Sequence, residues 1–168
     1  MGRRKKRVTK TIDLKSQHVY MFTDGACWPT NGGNGGWGVV LLFNGHCREL
    51  QGSQRNTTNN KMELMAILEG LRALKRPMQW PVTVYSDSQY CVKSLTTWWP
   101  GWSQRGWRTA AGGDVKNLDL IKAILEQVGW ESNQLVSFKW LPGHAGIKYN
   151  ERADELAVAG RIACKDMG

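Results

Sequence analysis

The chain has 168 residues, 41% of them hydrophobic, enough for one domain with a sizeable core, and no apolar run approaches the ~20 residues that span a bilayer. Its formal net charge of +9 favours a polyanionic partner such as nucleic acid, although it says nothing about fold. Cys27, Cys47, Cys91 and Cys164 show neither C-x-x-C spacing nor zinc-finger histidines, and the basic start is followed by no apolar signal segment, so reduced thiols, a cytoplasmic location and no membrane partner are the expectation.

Residues 1–16 hold seven Lys/Arg and one Asp without apolar periodicity. They read as a disordered basic arm, either a solubilising tail or an electrostatic contact with nucleic acid, ahead of a domain spanning 17–168. Tyr20-Met21-Phe22-Thr23 is an apolar, β-favouring run cut short by Asp24 and Gly25, a first buried strand ending on a carboxylate. The stretch 28–36 is rich in Gly and Asn and reads as a loop able to approach a ligand closely. Runs at 37–43 and 46–51 flank Asn44-Gly45, the dipeptide best suited to a two-residue hairpin, so strands two and three are antiparallel. Asn60 is placed to cap a helix with Leu64, Ile67, Leu68, Leu71 and Leu74 as its buried stripe, ending before Pro77.

A fourth strand is expected at 82–86, with a helix starting after Asp87-Ser88 and passing Tyr90, Val92 and Leu95. The segment 98–108 carries four of the nine tryptophans, and Pro100, Gly101 and Gly106 interrupt it too often for one regular helix. A helix follows at 118–128, then a strand at 135–140 with Val136, Phe138 and Trp140 on one face. A loop around His144 leads to a last helix from about Asn150, packed through Ala153, Leu156, Ala157 and Gly160.

If strand one runs upward, the hairpin returns the chain to the top edge at Glu63, and a right-handed crossover makes strand four parallel to strand one, with Asp87 at its upper end. Strand five then rises parallel to strand four and delivers the His144 loop and Asp154 to the same edge, where α/β sheets bind ligands. Each acid alone has a structural explanation. Glu63 could close a capping box with Asn60, Asp87 could cap the helix after it, and Asp154 could complement a helix dipole. Together they repel unless a cation neutralises them, and oxygen donors without His or Cys point to Mg²⁺ or Mn²⁺. Two such ions, activating a water and stabilising a leaving oxygen, suit a phosphodiester substrate.

Four stretches in this order, Thr23-Asp24-Gly25, Thr57-Thr58-Asn59-Asn60-Lys61-Met62-Glu63-Leu64, Ser86-Asp87-Ser88-Gln89-Tyr90, and Gly143-His144-Ala145-Gly146 with Asn150-Glu151-Arg152-Ala153-Asp154, resemble type 1 ribonuclease H from about residue 19 to 160. The resemblance implies an α/β fold of the ribonuclease H type, a mixed five-stranded sheet of order 3-2-1-4-5 with helices on both faces. It further implies a monomeric endonuclease that cuts the RNA strand of RNA/DNA hybrids and leaves 5′-phosphate and 3′-hydroxyl ends. Asp24, Glu63, Asp87 and Asp154 match the family's metal ligands and His144 its mobile proton carrier. Asn31, Asn59 and Gln89, with backbone near Gly25 and Cys27, match contacts to the RNA strand and its 2′-hydroxyls. Thr58 and Asn117 resemble a DNA-phosphate pocket, and Trp98, Trp102, Arg105, Trp107 and Arg108 a handle over the DNA strand, some of its tryptophans being core. Departures are a glycine loop one residue longer, Asn56 in place of a basic residue before Thr57-Thr58, and no lysine run in the handle. A hybrid-binding module that does not cut would require the loss of an acid. Transposases, integrases and junction nucleases of related fold would lack the Asn59 and Gln89 motifs. An origin in a reverse transcriptase stays open.

Overall fold

The computed structural model describes residues 14–29 and 32–166, so the expectations placed on Asn31 and on the arm up to Asp13 lie outside the described residues. Five strands form one sheet of order β3-β2-β1-β4-β5: β1 (Val19–Trp28), β2 (Asn34–Phe43), β3 (His46–Gln54), β4 (Val82–Ser86) and β5 (Val136–Trp140). β2 is antiparallel to β1 and β3, while β4 is parallel to β1 and β5. The order and the mixed directions follow the topology expected from the sequence. Asn44 and Gly45 both take positive φ, 46° and 82°, as the tight hairpin between β2 and β3 requires.

Alternation along β1 divides the core. Met21, with Val39, Leu41 and Val84 of neighbouring strands, faces α1 (Asn59–Arg72) and α4 (Leu118–Val128), whose Leu64, Ile67, Leu71, Ile121 and Ile124 are fully buried. Tyr20 and Phe22 point the other way, toward Val40, Leu42 and Tyr85 and the Ala153 and Leu156 stripe of α5 (Lys148–Asp166). Removing each of these large side chains from water contributes about 1.5–3 kcal/mol, so the two faces together hold α1 and α5 against the sheet. No helix among the described residues is long and apolar enough to cross a membrane.

Several local expectations are corrected. β1 does not end on Asp24 but continues to Trp28, because β2 still offers partners there, Asp24 facing Gly38 and Trp28 facing Asn34. What ends at this level is the parallel pairing, whose last partners are Thr23 and Ser86. The expected loop 28–36 is correspondingly shorter, since Asn34, Gly35 and Gly36 belong to β2. Those glycines serve packing. A Cβ on Gly36 would stand 2.2 Å from the backbone of Ala157 and Arg161, so α5 can lie close on β2 only because none is there.

Segment 98–108 is, as expected, not one regular helix: α2 (Gln89–Lys93) passes through a π-helical turn (Ser94–Trp98) into α3 (Trp99–Gln104), with Pro100 in the first turn of α3, and the chain leaves the helix after Gln104. Of the three residues expected on one face of β5, only Val136 is buried, while Trp140 is 44% exposed, because β5 is the sheet's edge. No disulfide joins the four cysteines.

Candidate active site

Asp24 stands where β1 loses its parallel neighbour, yet it is only 5% exposed because the strand carries on past it. The next residue decides what reaches it. A Cβ on Gly25 would lie 2.4 Å from the Glu63 amide nitrogen and 2.5 Å from the Met62 carbonyl carbon, so the first turns of α1 touch β1 only because residue 25 is glycine. Thr58, not Asn60, caps that helix, its Oγ1 accepting from the Lys61 amide at 3.2 Å. Glu63 is therefore not part of a capping box with Asn60, and its carboxyl, 9% exposed, turns toward Asp24.

Asp87 follows the last residue of β4. The capping role its position suggested belongs to Ser88, whose Oγ accepts from the Cys91 amide at 3.2 Å. The turn is fixed from two further sides. Trp140 Nε1 donates to the Asp87 carbonyl at 3.0 Å, and the Ser88 amide donates to Ser86 Oγ at 3.1 Å. Oxygens of Asp24, Glu63 and Asp87 thus all lie within 4.8 Å of one another, though the residues come from β1, α1 and the β4–α2 join. Asp154, half-buried in the second turn of α5, stands outside this group, but its charge acts on both Asp24 and Asp87.

The acids suppress one another's ionisation. Burial, and then the charge of Asp87, push the Asp24 carboxyl up to about 7. Burial and then Asp24 raise Glu63 well above the usual carboxylate range, and burial and then Asp154 raise Asp87. No Lys or Arg forms an ion pair with these carboxyls among the described residues, and buried Glu63 Oε2 has no hydrogen-bond partner. A cluster of hard oxygen donors with an unsatisfied buried carboxyl oxygen and no Lys or Arg paired to it among the described residues fits a hard divalent cation.

His144 is exposed on the loop between β5 and α5, with φ 54°, and its charge opposes the upward shift of Asp87. A Cβ on the preceding Gly143 would come within 3.0 Å of Asp87 Oδ2. The loop therefore lies directly against the cluster.

Around the acids the expected nucleic-acid contacts fall into three places. Gly25 and Cys27 lie beyond Asp24 on β1, Cys27 Sγ donating to the Thr57 carbonyl at 3.4 Å, and Asn59 and Gln89 are the exposed first residues of α1 and α2. Thr58 and Asn117 line one cavity of about 710 Å³. Asn117 is left-handed (φ 57°), and its Nδ2 donates to the Tyr90 hydroxyl at 3.1 Å. Lys61 and Lys116 line the same cavity and escaped the sequence reading. Lysines are common on any surface, and only the meeting of α1 with the segment before α4 distinguishes these two.

The handle divides. Trp98 is 39% exposed, at 5.9 Å between ring centroids from Trp102, and Arg105 and Arg108 are exposed. Trp102 and Trp107 pack against the core, and Trp130, with Trp107 and Trp99 set edge-on to it, joins that packing. Arg108 is paired with Asp114 at 2.8 Å.

The family model for RNase H matches residues 16–162. The chain is 51% identical over 149 residues to a ribonuclease H of Bordetella pertussis, covering 89% of this chain and 92% of that one, and 50% identical over 145 residues to one of Pseudomonas entomophila, covering 86% and 94%. Among solved structures, LC9-RNase H1, described as a type 1 RNase H with the type 2 active-site motif, superposes with a TM-score of 0.76 at 30% identity, over 91% of this chain and 76% of that one. LC11-RNase H1, solved in complex with an RNA/DNA hybrid, shares the fold with a TM-score of 0.64 at 23% identity, over 89% and 99%. With the RNase H family model matching most of its length, about half the aligned residues identical to curated ribonucleases H and the fold of a type 1 RNase H, the chain belongs to the type 1 ribonuclease H family and is a hydrolase.

Proposed function

We propose that the protein is an endonuclease that hydrolyses the RNA strand of RNA/DNA hybrids, leaving 5′-phosphate and 3′-hydroxyl ends. The observation that carries this reading is the meeting of Asp24, Glu63 and Asp87 within 4.8 Å, with Glu63 Oε2 buried and unsatisfied. Asp24, Glu63, Asp87 and Asp154 would hold two Mg²⁺ or Mn²⁺ ions. When bound, such ions activate the attacking water and stabilise the leaving oxygen of an in-line displacement.

The remaining work falls to the chain's own groups. The exposed side chains of Asn59 and Gln89, with the backbone at Gly25 and Cys27, rim the cluster and read the RNA 2′-hydroxyls, the groups absent from DNA. The Thr58 hydroxyl and the Asn117 amide, helped by Lys61 and Lys116, take a phosphate of the DNA strand in their common cavity. Trp98, Arg105 and Arg108 give that strand a second support. His144, on its exposed loop, moves a proton at the edge of the cluster beside Asp87. The hybrid bound by the LC11 protein is the ligand class proposed for this chain too.

Incubation of end-labelled RNA/DNA hybrid, duplex RNA and duplex DNA with Mg²⁺ or with EDTA tests the reading. Cutting confined to the RNA strand of the hybrid and abolished by EDTA is the expected result. Equal cutting in EDTA, or cutting of duplex DNA, would overturn it.

A further inference from the structure

Beyond the acid cluster, β1 and α5 run outward side by side. Gly38, paired with Asp24, lies under Ala153 and Leu156, and Gly36, paired with Ala26, lies under Ala157, Gly160 and Arg161. Four residues past Asp24, about 13 Å along the strand, comes Trp28. Seven residues past Asp154, two turns or about 10 Å along α5, comes Arg161. The two meet, with the Arg161 guanidinium 5.8 Å from the centre of the Trp28 ring.

Trp28 is 63% exposed, more than any other large hydrophobic residue among the described ones, so burial does not explain it. Arg161 forms no ion pair among the described residues. An indole edge steadied by a cation offers an apolar face for a ribose together with a charge for the adjoining phosphate. Strand alternation puts Trp28, like Asp24 and Phe22, on the α5 side of the sheet, whereas the Thr58 and Asn117 cavity is built by α1 and the segment before α4 on the other side.

We propose that Trp28 and Arg161 form an additional contact with the RNA strand, gripping its sugar-phosphate backbone about four nucleotides from the scissile bond at ~3.4 Å of rise each. This rests on the hybrid-nuclease reading above. The contact acts on binding, since it lies too far from the acids to touch the reacting phosphate.

The test is steady-state cleavage of a hybrid of about 20 base pairs with one defined cut, and of versions shortened to about three base pairs on either side of it, by the wild type, Trp28→Ala, Arg161→Ala and the double variant. On the long hybrid each single variant should raise KM by about 5- to 10-fold with kcat within about twofold, and the double variant should add little to the larger single effect. The penalty should vanish on the hybrid shortened on one side and persist on the other. Arg161→Ala should flatten the plot of log KM against log salt by about 0.7–0.9, and Arg161→Lys should restore the slope. KM values within about twofold of the wild type on the long hybrid, or equal penalties on both shortened forms, would overturn the contact while the nuclease reading stands. A wild type that cuts no hybrid would overturn both. Unchanged circular dichroism and melting temperature in both exposed-site variants separate a lost contact from a lost fold.

Discussion

Replacing Asp24 by Asn should stabilise the metal-free protein, and the size of the gain can be worked from the site. Asp24 is 5% exposed, and burial with the charge of Asp87 pushes its carboxyl up to about 7. An unfolded Asp releases its proton near 3.9, so the folded state holds the proton over about three units in which the unfolded state has lost it. Below about pH 3.9 both states are protonated and the side chain is neutral toward stability; as pH rises to about 7 the unfolded state is increasingly favoured, and above that the loss is complete. At about 1.4 kcal/mol per unit, the carboxylate costs up to about 4 kcal/mol at pH 8 and about 1.5 kcal/mol at pH 5. Asn removes the charge while its Oδ1 can keep accepting from the Gly25 amide, a bond of 2.9 Å in the parent. Urea unfolding in EDTA at pH 5 and pH 8 should therefore show a variant more stable than the parent, with the larger gain at pH 8. Saturating Mg²⁺ should shrink that gain, because the ion stabilises the folded parent more. A variant less stable than the parent at pH 8 in EDTA, or a gain independent of pH, would refute the reasoning; the same variant should show no turnover with Mg²⁺.

Gly25→Ala places a Cβ 2.4 Å from the Glu63 amide, about 1 Å inside an ordinary contact, so α1 must shift from β1: about 1–3 kcal/mol lower stability and roughly 10²-fold lower turnover are expected, measured by urea unfolding and hybrid cleavage. Parental turnover would mean that the spacing of Glu63 and Asp24 is not set at this contact. His144→Ala should lower kcat by about 10² to 10⁴ with KM little changed, a smaller loss than in Asp24→Asn; wild-type kcat in the cleavage assay would reduce His144 to a turn residue. Deleting residues 1–13, which carry six Lys/Arg and one Asp, should weaken hybrid binding and flatten its salt dependence while sparing the saturated rate; an unaltered slope in a salt titration would show that the arm does not touch nucleic acid.

The order of the elements and the identity of the acids were legible in the chain because both depend on local patterns. Alternation and turn chemistry announce Asn44-Gly45, helical spacing announces Leu64, Ile67, Leu68 and Leu71, and Asp87 stands where the pattern of β4 gives way to that of α2. The strand directions came from those patterns and the handedness of crossovers, and the order of the sheet from the family resemblance. Four linked motifs did the same for the family.

Distances were another matter, since they depend on what lies across the fold. Nothing local says that Gly25 and Gly36 are vacant for α1 and α5 rather than for a ligand, or that Thr58 and Ser88 cap the helices and leave Glu63 and Asp87 to the site. The end of β1 is hidden from the sequence for the same reason: strand length is set by the partner, and β2 continues where β4 stops. The meeting of Trp28 with Arg161, 133 positions apart in the chain, and of Thr58 with Asn117 in one cavity, required the packed structure. The sequence alone determined which groups are present and their sequence of appearance; the depth at which Asp24 and Glu63 are buried, and hence their reluctance to ionise without a cation, was decided only when separate elements closed over them.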